Sequence, residues 1–418
     1  MGALKNQDLK YSNAGYFFLL LFSFLSFSDI SPALERISLF ALLCLAIANL
    51  KRFSFTRINP ILLSTFIWFI YVWLNTLFHL AEKDYLAITD TATFLDRAKD
   101  WSLIAFFPIV SLFLTNDDRR GNLFLFAGLG LFFSIGISFK DINLIDFFDV
   151  DARYGFKHSI NHFALFIGTT LIGAIVFGSQ TLVKSQRYLF ILSAVVASLS
   201  TLLLIKTQTR MAWIAILLVI LFIFLISYFF NNAKGIKRPK IASTIFILLP
   251  CILVIIFLNP VIEKRLNTKE SVIRHYVAST DHSINSRVEL LKFGYSKWLE
   301  KPIFGHGPLP SRILISEFGN TYISERAHLH NTYLEVMVSW GIVGILLCGI
   351  TISLLLKTVF FILLKNNNSS IYCLFFLSSM LYWLLWSAAE FNVYRGAGQY
   401  YWLILAGLGY SIYQQNTE

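Results

Sequence analysis

Apolar runs long enough to cross a bilayer recur along almost the whole chain, separated by short polar or charged segments. A hydrocarbon core about 30 Å thick needs roughly 17 to 25 helical residues per crossing. Runs near that length have cores at 14–30, 36–50, 61–79, 101–115, 121–138, 161–178, 188–206, 210–230, 243–259, 331–356, 371–388 and 400–414. The block 188–230 is interrupted only by Lys206, Thr207, Gln208, Thr209 and Arg210, so it reads as two helices joined by a tight turn. The pattern predicts an all-α, polytopic transmembrane helix bundle of about 12 spans, forming a single integral membrane domain over 1–418. One long polar stretch, 260–330, is expected to loop out of the bundle and to contain short helices.

Composition supports that reading, with 56% hydrophobic, 16% aromatic and 14% charged residues, against about a quarter charged in an average soluble domain. The first apolar run is expected to be retained, because no cleavable leader pattern precedes it. Cys44, Cys251, Cys348 and Cys373 all fall in apolar runs without ligand spacing, so neither a disulfide nor a thiolate metal site is expected.

The net charge of +11 is distributed asymmetrically. With the amino terminus inside, the inner segments collect Lys5, Lys10, Lys51, Arg52, Arg57, Arg119, Arg120, Lys184, Arg187, Lys234, Lys237, Arg238, Lys240, Lys357 and Lys365 against only Asp8, Asp117, Asp118 and Glu418. This is the positive-inside pattern, and it accounts for the high pI without a nucleic-acid partner. It places both termini in the cytoplasm, and the segments 80–100, 139–160, 260–330 and 389–399 outside. No fixed repeat and no glycine-rich phosphate loop occurs, so nucleotide chemistry is not indicated.

Chemistry is therefore sought on the outer side. Arg210, at the outer end of a span, either snorkels or binds an anion, and Lys206 one turn away with Thr207 and Thr209 makes a group suited to phosphate. Arg287 precedes a short amphipathic helix bearing Val288, Leu291, Tyr295 and Trp298, ended by Pro302 and a "FGHG" turn. Its alternatives are an inward-aimed anion ligand and an ion pair within the loop. Arg153 in "DARYGFKHSINHFA" and Arg395 in "EFNVYRGAGQYYW" repeat the arrangement of arginine, glycine and asparagine at a membrane boundary.

The stretch "HLHNTYLEVMVSWGIVG" at 328–344 puts His330 and Asn331 at the mouth of an apolar helix that contains Gly341 and Gly344. At 100° per residue, His330 and Gly341 fall within about 20° of one face. The glycines are expected to admit a neighbouring helix and so fix the axis beneath His330. Asn331 is read as a helix cap or a ligand donor, His330 as a general base or a structural boundary residue, and Glu335 as a group that orients the site. The sole carboxylate cluster suited to a metal, Asp146, Asp149 and Asp151 in "DFFDVDAR", is the weaker alternative. A transporter would need charges deep in its spans or two related halves with broken helices, and neither is evident.

"HN", nine residues and "GIVG", together with "TQTRMAW", an arginine followed by "KPIFGHG", and "ARYGFKHSINHFA", resembles the signature of the O-antigen ligase and O-antigen polymerase superfamily of bacterial inner-membrane glycosyltransferases. The resemblance spans roughly 150–400. It implies transfer of a glycan from undecaprenyl diphosphate to an acceptor hydroxyl on the periplasmic side, without nucleotide, metal or other cofactor. The acceptor is lipid A-core in the ligase and another lipid-linked repeat in the polymerase. The compact chain with one long late outer loop leans toward the ligase. On this reading His330 is the catalytic base and Arg210 and Arg287 hold the diphosphate, with Arg153, Asn331, Arg395 and Lys206 as further substrate-binding candidates.

Overall fold

The computed structural model describes residues 12–49, 59–81, 90–142, 147–149, 152–183, 186–229, 252, 255–256, 258–267, 282–308, 311–316, 328–365, 370–391 and 396–417. Their regular structure is helical, with no strand among the described residues. Among the described residues, six helices are long and apolar enough to cross a membrane: α3 (Pro60–Ala81), α6 (Asp117–Ser138), α7 (Ile160–Val183), α8 (Arg187–Lys206), α9 (Arg210–Phe229) and α13 (Thr332–Lys365). Helices α1 (Ser12–Ser28) and α14 (Ser370–Ser387) are apolar but shorter, and α2 (Pro32–Ala48) and α15 (Ala397–Thr417) occupy two further predicted runs. The run 243–259 falls largely outside the described residues, and the short α10 (Asn259–Asn267) follows it.

Local chemistry explains where helices begin. Ser31 caps α2 by accepting from the Leu34 N–H, with Pro32 at the first helical position, and Asn116 caps α6 by accepting from the Arg119 N–H. The run 101–115 is not one regular crossing. Helix α4 (Thr91–Leu103) passes through a 3₁₀ turn, Ile104–Phe106, into the short α5 (Phe107–Ser111). Pro108 supplies no N–H there, so the i to i−4 ladder cannot continue unbroken.

The pairs α1 and α6, α7 and α8, and α9 and α14 pack closely. Between α1 and α6 the approach needs Gly130, where a Cβ would lie 2.3 Å from the Phe24 carbonyl oxygen. One end of the bundle is tied by Arg120, whose guanidinium is fully buried and donates to Asp117 at 2.8 Å, to Gln415 at 2.5 Å and to the Ser411 carbonyl at 2.9 Å. Arg119 on the same turn reaches Ser12 and Asn13. The opposite rim gathers the ends of α3, α7, α8, α9, α13 and α14, and with them the residues singled out for chemistry.

Helix α13 departs from expectation in a way that shapes this rim. Gly341 has φ 62° and ψ −162°, so the helix is broken there rather than flattened for a neighbouring helix. A Cβ at 341 would lie 2.2 Å from the Ile303 carbonyl oxygen, because the turn 302–307 sits in the break. The freed groups find partners in that turn. The Ile342 and Val343 amides donate to the Pro302 and Ile303 carbonyls at 2.9 and 3.3 Å, and the His306 amide donates to Val338 O at 2.8 Å. An interrupted helix at membrane depth is tolerated only with such replacements.

Candidate active site

The long polar stretch enters the site through α11 (His282–Glu300), which starts earlier than the amphipathic stretch read from sequence. Leu290 and Phe293 face inward and pack with Leu329, Leu334 and Val338 of the α13 region. Gly294 lies under Leu329 and Leu334, where a Cβ would come within 2.8 and 2.7 Å of their methyl groups. Val288, Leu291, Tyr295 and Leu299 remain exposed on another face. Arg287, half-buried, emerges on the first turns of this helix.

The histidine sits just before α13, not on it. Asn331 is the cap: its side-chain oxygen accepts from the Leu334 N–H at 2.9 Å, and its amide donates to the Ala388 carbonyl at 2.9 Å. His330 takes the left-handed conformation, φ 53°, which a non-glycine residue adopts only when its surroundings hold it there. Two groups do so. The Leu329 amide donates to the buried Glu335 carboxylate at 2.6 Å, and Glu335 also accepts from Ser311 of the short helix α12 (Ser311–Ser316). The Glu390 carbonyl accepts from both the Thr332 amide, at 3.1 Å, and its hydroxyl, at 2.6 Å.

Glu390 is the residue that sequence reasoning missed. Its buried carboxylate lies 3.2 and 3.4 Å from His330 Nδ1 and 3.5 Å from His328 Nε2, and accepts from Asn161 at the start of α7. Burial pushes its pKa upward, but the hydrogen bond and charge of His330, then the charges of His328 and Arg287, outweigh that and hold it below the ordinary carboxylate value. Arg287 therefore acts on the same carboxylate as the two histidines. One signal was available beforehand, since Glu390 is the lone acid of the outer segment 389–399.

The proton positions follow from the hydrogen-bond network. Glu390 accepts, so His330 carries its proton on Nδ1 and presents the Nε2 lone pair. The His330 amide donates to His328 Nδ1 at 3.2 Å, so neutral His328 carries its proton on Nε2, facing Glu390. The ligand atoms of His328, His330 and Glu390 lie within 4.8 Å of one another. As a metal site they do not fit, because the His328 lone pair is turned to a backbone amide and His330 Nδ1 is spent on the carboxylate.

The other candidates divide. Arg210 begins α9, half-buried, after a turn in which Gln208 takes φ 52°. The turn before Arg210 is hydrogen-bonded to Arg153 and Tyr154, and Asn161 a few residues further on donates to Glu390, so Arg210 stands at the same rim. Lys206 is 0% exposed; its ammonium donates to the Asp149 carbonyl at 2.7 Å and lies 5.5 and 5.8 Å from the Phe147 and Tyr154 ring centres. Arg153 Nε donates to the Thr207 carbonyl at 3.1 Å, and Gln208 to the Ala152 carbonyl at 3.2 Å. Together they lash the segment before α7 to the turn before Arg210. Arg395, Asp146 and Asp151 lie outside the described residues.

Taken together, these features define a polytopic helical membrane protein with a histidine, carboxylate and arginine site at one rim of its bundle. Residues 194–349 match the family model described as O-antigen ligase. The match begins within α8 and ends just beyond the break in α13, so it contains Lys206, Arg210, Arg287, His330 and Asn331 but not Glu390. No curated protein matches the chain.

Proposed function

We propose that the protein is an O-antigen ligase of the bacterial inner membrane. It transfers O-antigen polysaccharide from undecaprenyl diphosphate to a sugar hydroxyl of lipid A-core, at a periplasmic rim. One observation carries the reading: His330 Nδ1 is engaged by the buried Glu390 carboxylate, which leaves Nε2 to take a proton, with Arg287 acting on the same carboxylate. The acceptor O–H would give its proton to Nε2 as its oxygen attacks the anomeric carbon. The bond from that carbon to the diphosphate breaks, the configuration inverts, and undecaprenyl diphosphate leaves with its charge met by Arg210 and Arg287. Asn331 and Lys206, with their side chains committed to a cap and a loop tie, serve the substrate through the shape of the rim, as does Arg153. Arg395 is assigned to substrate binding by its outer position alone, and no step requires a cofactor.

The test is reconstitution with purified donor and acceptor. His330→Ala should abolish transfer while leaving protein level and donor binding nearly unchanged, and loss of folded protein instead would return His330 to a packing role. Arg287→Lys should weaken donor use, and full activity would rule out bidentate diphosphate recognition. Deleting the gene separates the ligase from the polymerase: bare core with accumulated lipid-linked polymer marks the former, core bearing single repeats the latter. Movement of the lipid-linked glycan with no transfer product would indicate a transporter.

A further inference from the structure

The break at Gly341 is held from a helix that lies outside the matched region. On α3, Tyr71, Asn75 and His79 recur every fourth residue and so share one face. Tyr71 Oη donates to the Trp340 carbonyl at 2.6 Å, the last carbonyl before the break, and lies 3.3 Å from Phe304 O. Asn75 Nδ2 donates to the Phe304 carbonyl at 2.8 Å, and His79 Nε2 lies 3.1 Å from the Gly305 carbonyl. Asn75 and His79 are buried, Tyr71 is half-buried, and one polar atom of each meets a carbonyl released by the broken helix or by the turn that fills it. Gly305 belongs to the same joint, with φ 71° and a virtual Cβ 2.5 Å from the Ser339 carbonyl.

Two levers leave this joint. One is α11, which ends at Glu300 immediately before the turn and carries Arg287 near its far end, about 20 Å away at 1.5 Å per residue. The other is the upper segment of α13, which reaches His330 about 16 Å above Gly341. Rings continue the second lever: Trp340 packs edge-on to Trp68, Tyr71 and Trp101, Trp101 meets Phe391 at 6.0 Å, and Phe391 meets His328 at 5.8 Å. A tilt of about 10° at the joint would carry His330 sideways by about 3 Å on a 16 Å arm. Displacements of about 1 Å are enough to cost orders of magnitude in rate.

We propose that Tyr71, Asn75 and His79 are positioning residues for glycan transfer: they seat the 302–307 turn in the α13 break and thereby set the separation of Arg287 from His330. The catalytic part of this inference rests on the function proposed above; the mechanical part does not. The experiment uses the full chain in lipid nanodiscs, with Tyr71→Phe and Asn75→Leu, which remove donors at nearly constant volume. Expected are a fall in kcat of about tenfold or more, a donor KM within about twofold of wild type, and partial recovery in Asn75→Gln. Spin labels on the exposed positions Lys292 and Leu77 supply the independent readout. Their distance distribution should broaden in Asn75→Leu with little change in melting temperature. An unchanged distribution, or kcat kept at the wild-type level, overturns the proposal. A broadened distribution in a protein whose His330→Ala variant still transfers glycan would leave the joint standing and remove the function assigned to it.

Discussion

His330 and Glu390 form a pair in which each residue answers a need of the other. The histidine supplies a donor to a carboxylate that would otherwise be buried without enough polar contacts, and the carboxylate chooses the tautomer and aims the ring. Glu390→Gln keeps the shape but can turn either its amide or its carbonyl toward Nδ1, so transfer should fall by about 10- to 100-fold with donor KM nearly unchanged. Retention of the wild-type rate would mean that His330 is aimed by something else. The pH dependence has a definite sign. Because the Glu390 pKa lies below its ordinary 4.5, its contribution to stability is full above that value and is lost as the pH falls through the lower, folded-state pKa. Thermal unfolding followed from pH 7 to pH 3 should therefore show wild type and Glu390→Gln converging only at the acid end. Convergence already near pH 6 would contradict a Glu390 carboxylate held ionised below the ordinary range.

At the scale of elements, the histidine motif was legible because its chemistry is local: a capping asparagine directly before an apolar run announces a helix start, and α13 begins there. The tight turn before Arg210 was legible for the same reason. Gly341 was read as a contact glycine because period and spacing cannot distinguish a flat helix face from a left-handed residue; only the partner segment, about 40 residues earlier, does so. Lys206 shows the same limit, since its anion-binding reading took no account of the Asp149 carbonyl that receives its ammonium. Gly341→Ala should be severely destabilising. A backbone at φ 62° and ψ −162° is essentially confined to glycine and costs a side-chain-bearing residue about 1 to 3 kcal/mol, and the 2.2 Å approach to Ile303 O forces the turn to shift as well. Melting in detergent should show a clear drop for Gly341→Ala and little change for Gly349→Ala, where a Cβ meets nothing. Equal melting temperatures would rule out the break as a structural requirement.

Across the whole molecule, alternating apolar runs foretold an all-helical bundle, and contacts between remote segments follow the expected sorting of loops to two rims. Glu390 with Asn161 and His330 lies at one rim, and Arg120 with Gln415 at the other. The number of crossings was less legible, because a proline divides one run and several helices fall short of a full span. Which rim faces the periplasm rests on charge alone, and labelling can test it. In intact cells Ser316→Cys should react with a membrane-impermeant maleimide, whereas Gln186→Cys should react only after permeabilisation; the reverse order would invert the topology. The 34 residues of α13 have a further consequence. At 1.5 Å per residue they would measure about 51 Å as a straight rod, well beyond a hydrocarbon layer of about 30 Å. Counted from Lys357, which the charge pattern puts at the inner boundary, Gly341 stands about 24 Å up and His330 about 40 Å, so on the proposed function bond exchange would take place at the level of the outer headgroups. Two lipid-anchored sugars could then meet there while each keeps its tail in the leaflet, and neither greasy chain would have to be lifted into water.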